Sequence, residues 1–198
     1  MIRPLDIPVR TALARAISIV GHPVVFMSVA ALVAASTHGA PLVQLRFLGA
    51  ALAALAAVVV GYTVFQVRAG RWAHVDASAR SERSGLNIFL ATLFLVSAAL
   101  TWFLMRDRHM PIALLLSALL IVVALLLARW VKVSLHAAFA IFATSILWPV
   151  LPAVLAGAVM TGAVSWSRLA LERHVAADVI VGLVLGLAAG VAYVAWVA

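Results

Sequence analysis

Long apolar runs separated by short polar stretches limit the folds open to this chain more than any other feature. A helix that crosses a membrane needs about 20 consecutive, mostly apolar residues. Runs of this kind occupy roughly residues 12–36, 43–67, 86–105, 112–131 and 176–198. Of the 198 residues, 67% are hydrophobic and 10% are charged, whereas soluble domains are nearer half apolar and a quarter charged. The sequence therefore predicts an all-α, polytopic integral membrane helix bundle, with the whole chain, residues 1–198, as a single membrane-embedded domain.

Two shorter apolar segments, 132–148 and 152–168, predict a helical hairpin broken by the sequence WPVLP. Each arm has 17 residues, which is about 25 Å of helix and slightly less than the roughly 30 Å of a bilayer core. With this short hairpin, the bundle has about six to seven spans. Gly21, His22 and Pro23 interrupt the first run. Proline inside a helix removes a backbone donor, so this interruption indicates a kink rather than a ligand site.

The polar residues gather in three stretches, 68–85, 132–136 and 167–178, and an even number of spans separates each from the next. They therefore lie on one side of the membrane. Eleven of the 14 Lys and Arg residues fall on that side, and Arg46, Arg106 and Arg108 fall on the other. Cytoplasmic loops carry an excess of basic residues, so the sequence predicts a bacterial inner-membrane or plasma-membrane protein whose polar side faces the cytoplasm. The same rule accounts for the net charge of +8. The sequence has no basic stripe with interleaved aromatics, so we expect no nucleic-acid partner.

His174 and Asp178 are the first candidates for chemistry. A spacing of four residues places both side chains on one helix face. A carboxylate there can fix the imidazole tautomer and leave the other ring nitrogen as a base or nucleophile. An ionisable pair at a membrane boundary is costly and is a functional hypothesis by default. A structural ion pair is the alternative.

Several donors accompany this pair along the chain. Arg168 carries a planar guanidinium that suits phosphate oxygens, although an interface arginine that reaches toward water is equally typical. The stretch VSLH offers the Ser134 hydroxyl, the Leu135 amide and a second imidazole at His136. Two histidines with arginines between them on one side of the membrane favour a site for an anion.

The 68–85 loop supplies two more basic candidates. The segment 76–85 predicts a short helix that Asp76 or Ser78 could cap and that Gly85 could end. Arg80 and Arg83 are three apart and share a face of that helix. A solvated basic loop is the alternative interpretation.

The stretch SRLALERHVAAD resembles the third motif of the type-2 phosphatidic acid phosphatase superfamily, which is related to the vanadium haloperoxidases. That motif is Ser-Arg, five residues, His, three residues, Asp. VSLH is similar to the second motif, Pro-Ser-Gly-His, with Val133 and Leu135 in place of the proline and the glycine. The first motif, Lys, six residues, Arg-Pro, retains only Arg83, since Asp76 stands at the lysine position and Ser84 follows the arginine. The resemblance covers roughly residues 76–190.

This resemblance implies a metal-free phosphatase with no cofactor. It implies that His174 attacks phosphorus, that Asp178 orients it, and that His136 protonates the leaving group and later activates water. The groups that would hold the phosphoryl oxygens are Arg83, Arg168, Ser134 and the Leu135 amide.

Asp76 is the main departure from the family pattern. We expect its side chain to point away from the phosphate and Arg80 or Lys132 to replace the missing positive charge. The implied substrate is a lipid or isoprenoid phosphate or diphosphate that enters from the bilayer, so membrane lipids are the other partner.

Three alternatives remain open from the residues. A metal-dependent lipid enzyme would need clustered acidic residues for magnesium, which the sequence lacks, although His136, His174 and Asp178 could hold zinc. A transporter would place ionisable residues within its spans, where this chain has few. A weak or inactive relative would bind a lipid phosphate without turnover.

Overall fold

The computed structural model describes residues 6–73, 79–105 and 107–197, and it has no strand within them. The described helices are α1 Asp6–Val20, α2 Pro23–Thr37, α3 Leu42–Arg68, α4 Arg80–Leu104, α5 His109–Leu127, α6 Leu135–Ile146, α7 Leu151–Ala170 and α8 Ala176–Val197. Five helices are long and apolar enough to cross a membrane, or up to six spans if α1 and α2 count as one. The predicted all-helical architecture with membrane-spanning helices is confirmed.

The chain forms two compact units. Unit 1 contains α1, α2, α6, α7 and α8, and unit 2 contains α3, α4 and nearly all of α5. The second and third family-like motifs belong to unit 1, and Arg83 belongs to unit 2. Each unit is described below by itself.

The interruption at Gly21–Pro23 bends the first apolar run by 51°. Pro23 stands in the first turn of α2, and the ring of His22 caps that helix by accepting a hydrogen bond from the Val24 amide. Gly21 is required here because a Cβ atom would collide with the side chain of Val164 on α7. The predicted kink is confirmed, and the bend seats this part of the chain on α7.

The hairpin of α6 and α7 is less regular than its two equal predicted arms. α6 has 12 residues and α7 has 20. α6 starts late because Ser134 has extended backbone angles, and it ends at Ile146 shortly before Pro149, since a proline disfavours helical geometry at the residue before it. The two helices pack closely: Thr144 Oγ1 and Thr161 Oγ1 are 3.0 Å apart in a buried hydrogen bond.

α8 packs on α6 through a row of glycines four residues apart. A Cβ atom at Gly182 would come within 2.5 Å of the Ser134 carbonyl oxygen. A Cβ atom at Gly186 would collide with the Ala138 carbonyl oxygen, and one at Gly190 would collide with the Ser145 side chain. Small residues of this kind let two helix backbones approach closely in a membrane protein. The contact places the start of α8 beside the start of α6.

In unit 2 the prediction of a short helix over residues 76–85 is wrong. α4 begins at Arg80 and continues through Gly85 to Leu104. Its first turn is capped by Glu82, whose carboxylate accepts hydrogen bonds from the amides of Ala79 and Ala73. A glycine inside a helix costs only about 1 kcal/mol, and the apolar run after Gly85 continues the helix. Asp76 and Ser78, the predicted caps, lie outside the described residues.

The fourth span also ends earlier than predicted. α5 stops at Leu127 rather than near residue 131, and a turn follows in which the amides of Trp130 and Val131 donate to the Leu127 carbonyl. α3 and α4 are joined by the stacked rings of Tyr62 and Phe89, whose centroids are 3.7 Å apart.

Candidate active site

The second and third motifs come together in unit 1 where α6 begins and where α7 turns into α8. The Ser134 amide donates to the Asp178 carbonyl at 3.1 Å. The Lys132 Nζ donates to the Arg173 carbonyl at 2.7 Å. One backbone hydrogen bond and one side-chain hydrogen bond thus join two segments that are about forty residues apart in the chain.

His174 and Asp178 form the predicted pair, but not on one helix face, because His174 lies in the turn before α8 and Asp178 in its first turn. Asp178 Oδ2 lies 3.3 Å from His174 Nδ1 and also accepts the Val175 amide at 3.2 Å. The Lys132 carbonyl oxygen lies 3.1 Å from the same Nδ1. A carbonyl and a carboxylate can only accept, so we assign the proton of the neutral ring to Nδ1. The Nε2 atom of His174 then carries the lone pair.

The surroundings of His174 keep the ring neutral at physiological pH. Its side chain is 10% exposed and that of Asp178 is 11% exposed. Burial is the main cause that lowers the pKa of His174 below its ordinary value of 6.5, and the charges of Lys132 and Arg168 lower it further. The hydrogen bond and the charge of Asp178 act in the opposite direction. A neutral imidazole with its lone pair on Nε2 is the form that can act as a nucleophile.

The start of α6 provides an anion-binding environment beside this pair. Ser134 precedes the helix and is fully buried, and its hydroxyl makes no hydrogen bond within the described part of the chain. The amides of the first helical turn, which include those of Leu135 and His136, have no acceptor within their own helix. Such a helix start favours negative charge. The buried hydroxyl at this helix start therefore suits a phosphoryl oxygen.

Arg168 lies in the last turn of α7 and is anchored on the first span. Its Nη1 donates to Ser18 Oγ on α1 at 2.7 Å. Its charge acts on the imidazoles of His22, His136 and His174. The predicted phosphate ligand therefore lies among all three histidines of the site.

The sequence interpretation missed His22 and Ser18 as neighbours of the site. The rings of His22 and His136 meet edge to face, with centroids 5.3 Å apart and planes at 88°. His22 was assigned to a kink, which it does form. The signal that could have found it is an ionisable residue inside an apolar span, which is costly without a function.

The first-motif residues are placed separately in unit 2. Arg83 is half-buried in the first turn of α4, one residue after the capping Glu82. α4 begins at Arg80, whose side chain is outside the described set, as is Asp76. Of the two predicted replacements for the family lysine, Lys132 is beside His174 through its carbonyl oxygen and its charge.

Among residues 6–73, 79–105 and 107–197, no three His, Asp or Glu side chains cluster closely enough to share a metal ion. His136, His174 and Asp178 therefore do not form the cluster that the zinc alternative requires.

Comparison of the chain with known protein families, with curated proteins and with solved structures gave no match.

Proposed function

We propose that this chain is a membrane phosphatase that hydrolyses a lipid or isoprenoid phosphate or diphosphate through a phosphohistidine intermediate. One observation carries the proposal: His174 Nδ1 is held by the Lys132 carbonyl and by Asp178, so Nε2 presents its lone pair. This arrangement is what the resemblance to the phosphatidic acid phosphatases requires of the same residue. The catalytic motifs and the proposed phosphate ligands of unit 1 meet at the same place.

In the first step the Nε2 lone pair of His174 attacks phosphorus as the bond from phosphorus to the leaving oxygen breaks. His136 enters this step as the imidazolium, gives its extra proton to that departing oxygen and becomes neutral. In the second step water attacks the phosphohistidine, the phosphorus–nitrogen bond breaks, and His136 takes the proton from water. Inorganic phosphate leaves and both histidines return to their starting forms.

The phosphoryl group needs fixed donors where its negative charge develops. The hydroxyl of Ser134, the Leu135 amide and the guanidinium of Arg168 are the donors that unit 1 offers. Asp178 stabilises the positive charge that the His174 ring gains on attack. Arg83 is a proposed ligand by the resemblance, and Arg80 is a proposed replacement for the family lysine; both belong to unit 2.

The reaction is tested by phosphate release from purified protein with a panel of lipid and prenyl phosphates, in a chelator and without added metal. We expect turnover that vanadate blocks, since vanadate resembles the transferring phosphoryl group. His174→Ala should reduce turnover to background, while His38→Ala, at the end of α2 in the same unit, should leave it unchanged. Near-normal turnover by well-folded His174→Ala would refute the mechanism.

A second candidate, a relative that binds lipid phosphates without turnover, is favoured by one observation. Asp76 stands at the position where the family has a lysine, and an acid near a phosphate is repulsive. Under this alternative the purified protein binds the substrate panel and releases no phosphate.

We also propose that the catalytic side faces the cytoplasm, because most basic residues lie on that side. The chain has no cysteine, so single cysteines report orientation directly. With a membrane-impermeant thiol reagent, intact cells should label Ser36→Cys, and only permeabilised cells should label Ala73→Cys. The reverse labelling pattern would place the site on the outer side.

A further inference from the structure

His22 carries a hydrogen-bond donor that the kink does not use. The Val24 amide donates to His22 Nδ1 at 3.3 Å. A backbone amide can only donate, so Nδ1 is the acceptor and the proton of the neutral ring is on Nε2. His22 is exposed, and its Nε2 makes no hydrogen bond to any described residue. An N–H group inside an apolar span that meets no acceptor is unfavourable.

The position of this donor is set by contacts to α7. Gly21 sits against Val164, where a Cβ atom would not fit. Ser18 lies one turn before Gly21, and Arg168 lies one turn after Val164. Ser18 accepts a hydrogen bond from Arg168. These two contacts, one helical turn apart, fix the break in the first span. The guanidinium of Arg168 also acts electrostatically on His174.

His22 is also the neighbour of His136. The two rings meet edge to face, and the ring of His136 makes no hydrogen bond to the described residues. In the proposed function His136 protonates the leaving group. The ring of His22 therefore lies beside the residue that is proposed to serve the leaving group.

The chemistry of the leaving group decides whether that donor finds an acceptor. The leaving group of a simple monoester is an alkoxide. It has one oxygen, which His136 protonates, and the rest of it is hydrocarbon. The leaving group of a diphosphate is itself a phosphate monoester with free anionic oxygens. A site built to hydrogen-bond a substrate group discriminates against an analogue that lacks the group.

We propose that His22 is a specificity-determining residue that donates its Nε2–H to a non-bridging oxygen of the leaving phosphate, so that the enzyme prefers lipid or prenyl diphosphates to monophosphates. This inference rests on the proposed function. The bond that breaks is the one from the terminal phosphorus to the bridging oxygen, His136 protonates that oxygen, and a lipid monophosphate departs.

Two variants separate the three roles of His22. His22→Phe keeps a ring against His136 but has no nitrogen, and His22→Asn keeps an acceptor for the Val24 amide but loses the ring. Each should lower the ratio of kcat/KM for a prenyl diphosphate to kcat/KM for the matching monophosphate by about 10- to 100-fold, as expected for a lost hydrogen bond to a charged group. His38→Phe, the same change at the other end of α2, should leave both values unaltered.

The result that overturns the inference is a ratio that stays constant while both substrates slow equally, because His22 would then act only through His136 or the fold. A wild-type preference for the monophosphate would overturn it as well, with the phosphatase proposal still standing.

Failure of the proposed function has a different signature: folded wild-type protein turns over neither substrate. Calorimetric titration then decides the inference on its own, with methylenediphosphonate and inorganic phosphate as ligands. Weaker binding of the diphosphonate alone in His22→Phe supports the proposal, and equal binding by wild type and variant rejects it.

Discussion

Helices α3 and α6 are both strongly apolar, yet they are packed in opposite ways. α3, described throughout its 27 residues, has Thr63 as its one buried residue. α6 has eight buried residues among twelve. A Cβ atom would find open space at Gly49 and Gly61 of α3, whereas Gly186 of α8 would collide with the backbone of α6.

Side-chain size accounts for part of the difference, although α3 also has the run GAALAALAA at 49–57, which is exposed or half-buried. α3 exposes large residues such as Val43 and Phe47, which suit contact with lipid chains. The sequence of α6, LHAAFAIFATSI, is rich in Ala, Ser and Thr, and helix contacts in a membrane depend on such small residues. The helix that starts at the candidate site is thus held rigidly, and rigid placement is what a preorganised site needs.

The largest expected effect concerns α6, the closely packed helix of unit 1, and it is an effect on catalysis. His136→Ala should slow turnover by about 10²- to 10⁴-fold, the usual contribution of general acid–base catalysis. It should also accumulate a phosphoenzyme, because the water that attacks phosphohistidine loses its base. Acid-labile phosphate on the protein measures this intermediate. His109→Ala in α5 is the control, and an equal effect there would contradict the assignment.

Arg83 and Arg80 test whether unit 2 shares the chemistry. If the proposed function is right, Arg83→Ala and Arg80→Ala should each lower kcat/KM by about 10- to 100-fold, the usual effect of losing a hydrogen bond to a charged group. The exposed Arg71, in the loop before α4, is the matched control, and Arg71→Ala should have little effect. If all three variants behave alike, the site belongs to unit 1 alone.

The packing contrast itself predicts a stability difference. Gly186→Ala should lower the free energy of unfolding by about 1–3 kcal/mol, the usual cost of overpacking, because the new Cβ meets the Ala138 carbonyl oxygen. Gly61→Ala adds the same atom in open space inside a helix and should be stabilising by up to about 1 kcal/mol. Thermal unfolding in detergent compares the two proteins. Equal midpoints would mean that α8 does not pack on α6 as described.

The smallest expected effect is a shift in pH dependence. His174 must be neutral to attack, so kcat/KM falls as pH drops through its pKa, which burial places below 6.5. Lys132→Met removes a charge that lowers this pKa, so the acid limb should move to higher pH. Asp178→Asn removes the carboxylate charge that raises this pKa, so the limb should move to lower pH. Profiles of kcat/KM against pH check both directions, and shifts of the same sign would contradict the electrostatic account.

Much of the fold could be predicted from the sequence. Apolar runs long enough to span a bilayer, the Gly-His-Pro break and the spacing of four between His174 and Asp178 are local properties, and all appear in the structure. The errors have a different origin. Gly85 and the start of α6 were misjudged because a capping Glu82 and an extended Ser134 depend on contacts that spacing does not encode.

The sequence by itself determined the membrane-spanning helices, because hydrophobic length acts within one segment. It also indicated the His174–Asp178 pair, because four residues separate the two side chains, although only Asp178 is helical. Only the tertiary structure decided which apolar faces are buried, since lipid and protein interiors are equally apolar and backbone approach depends on small residues of a distant helix. It also decided that the ring of His22 touches that of His136. More than a hundred residues separate them, and only the bend at Gly21 and the contacts of α1 with α7 bring them together.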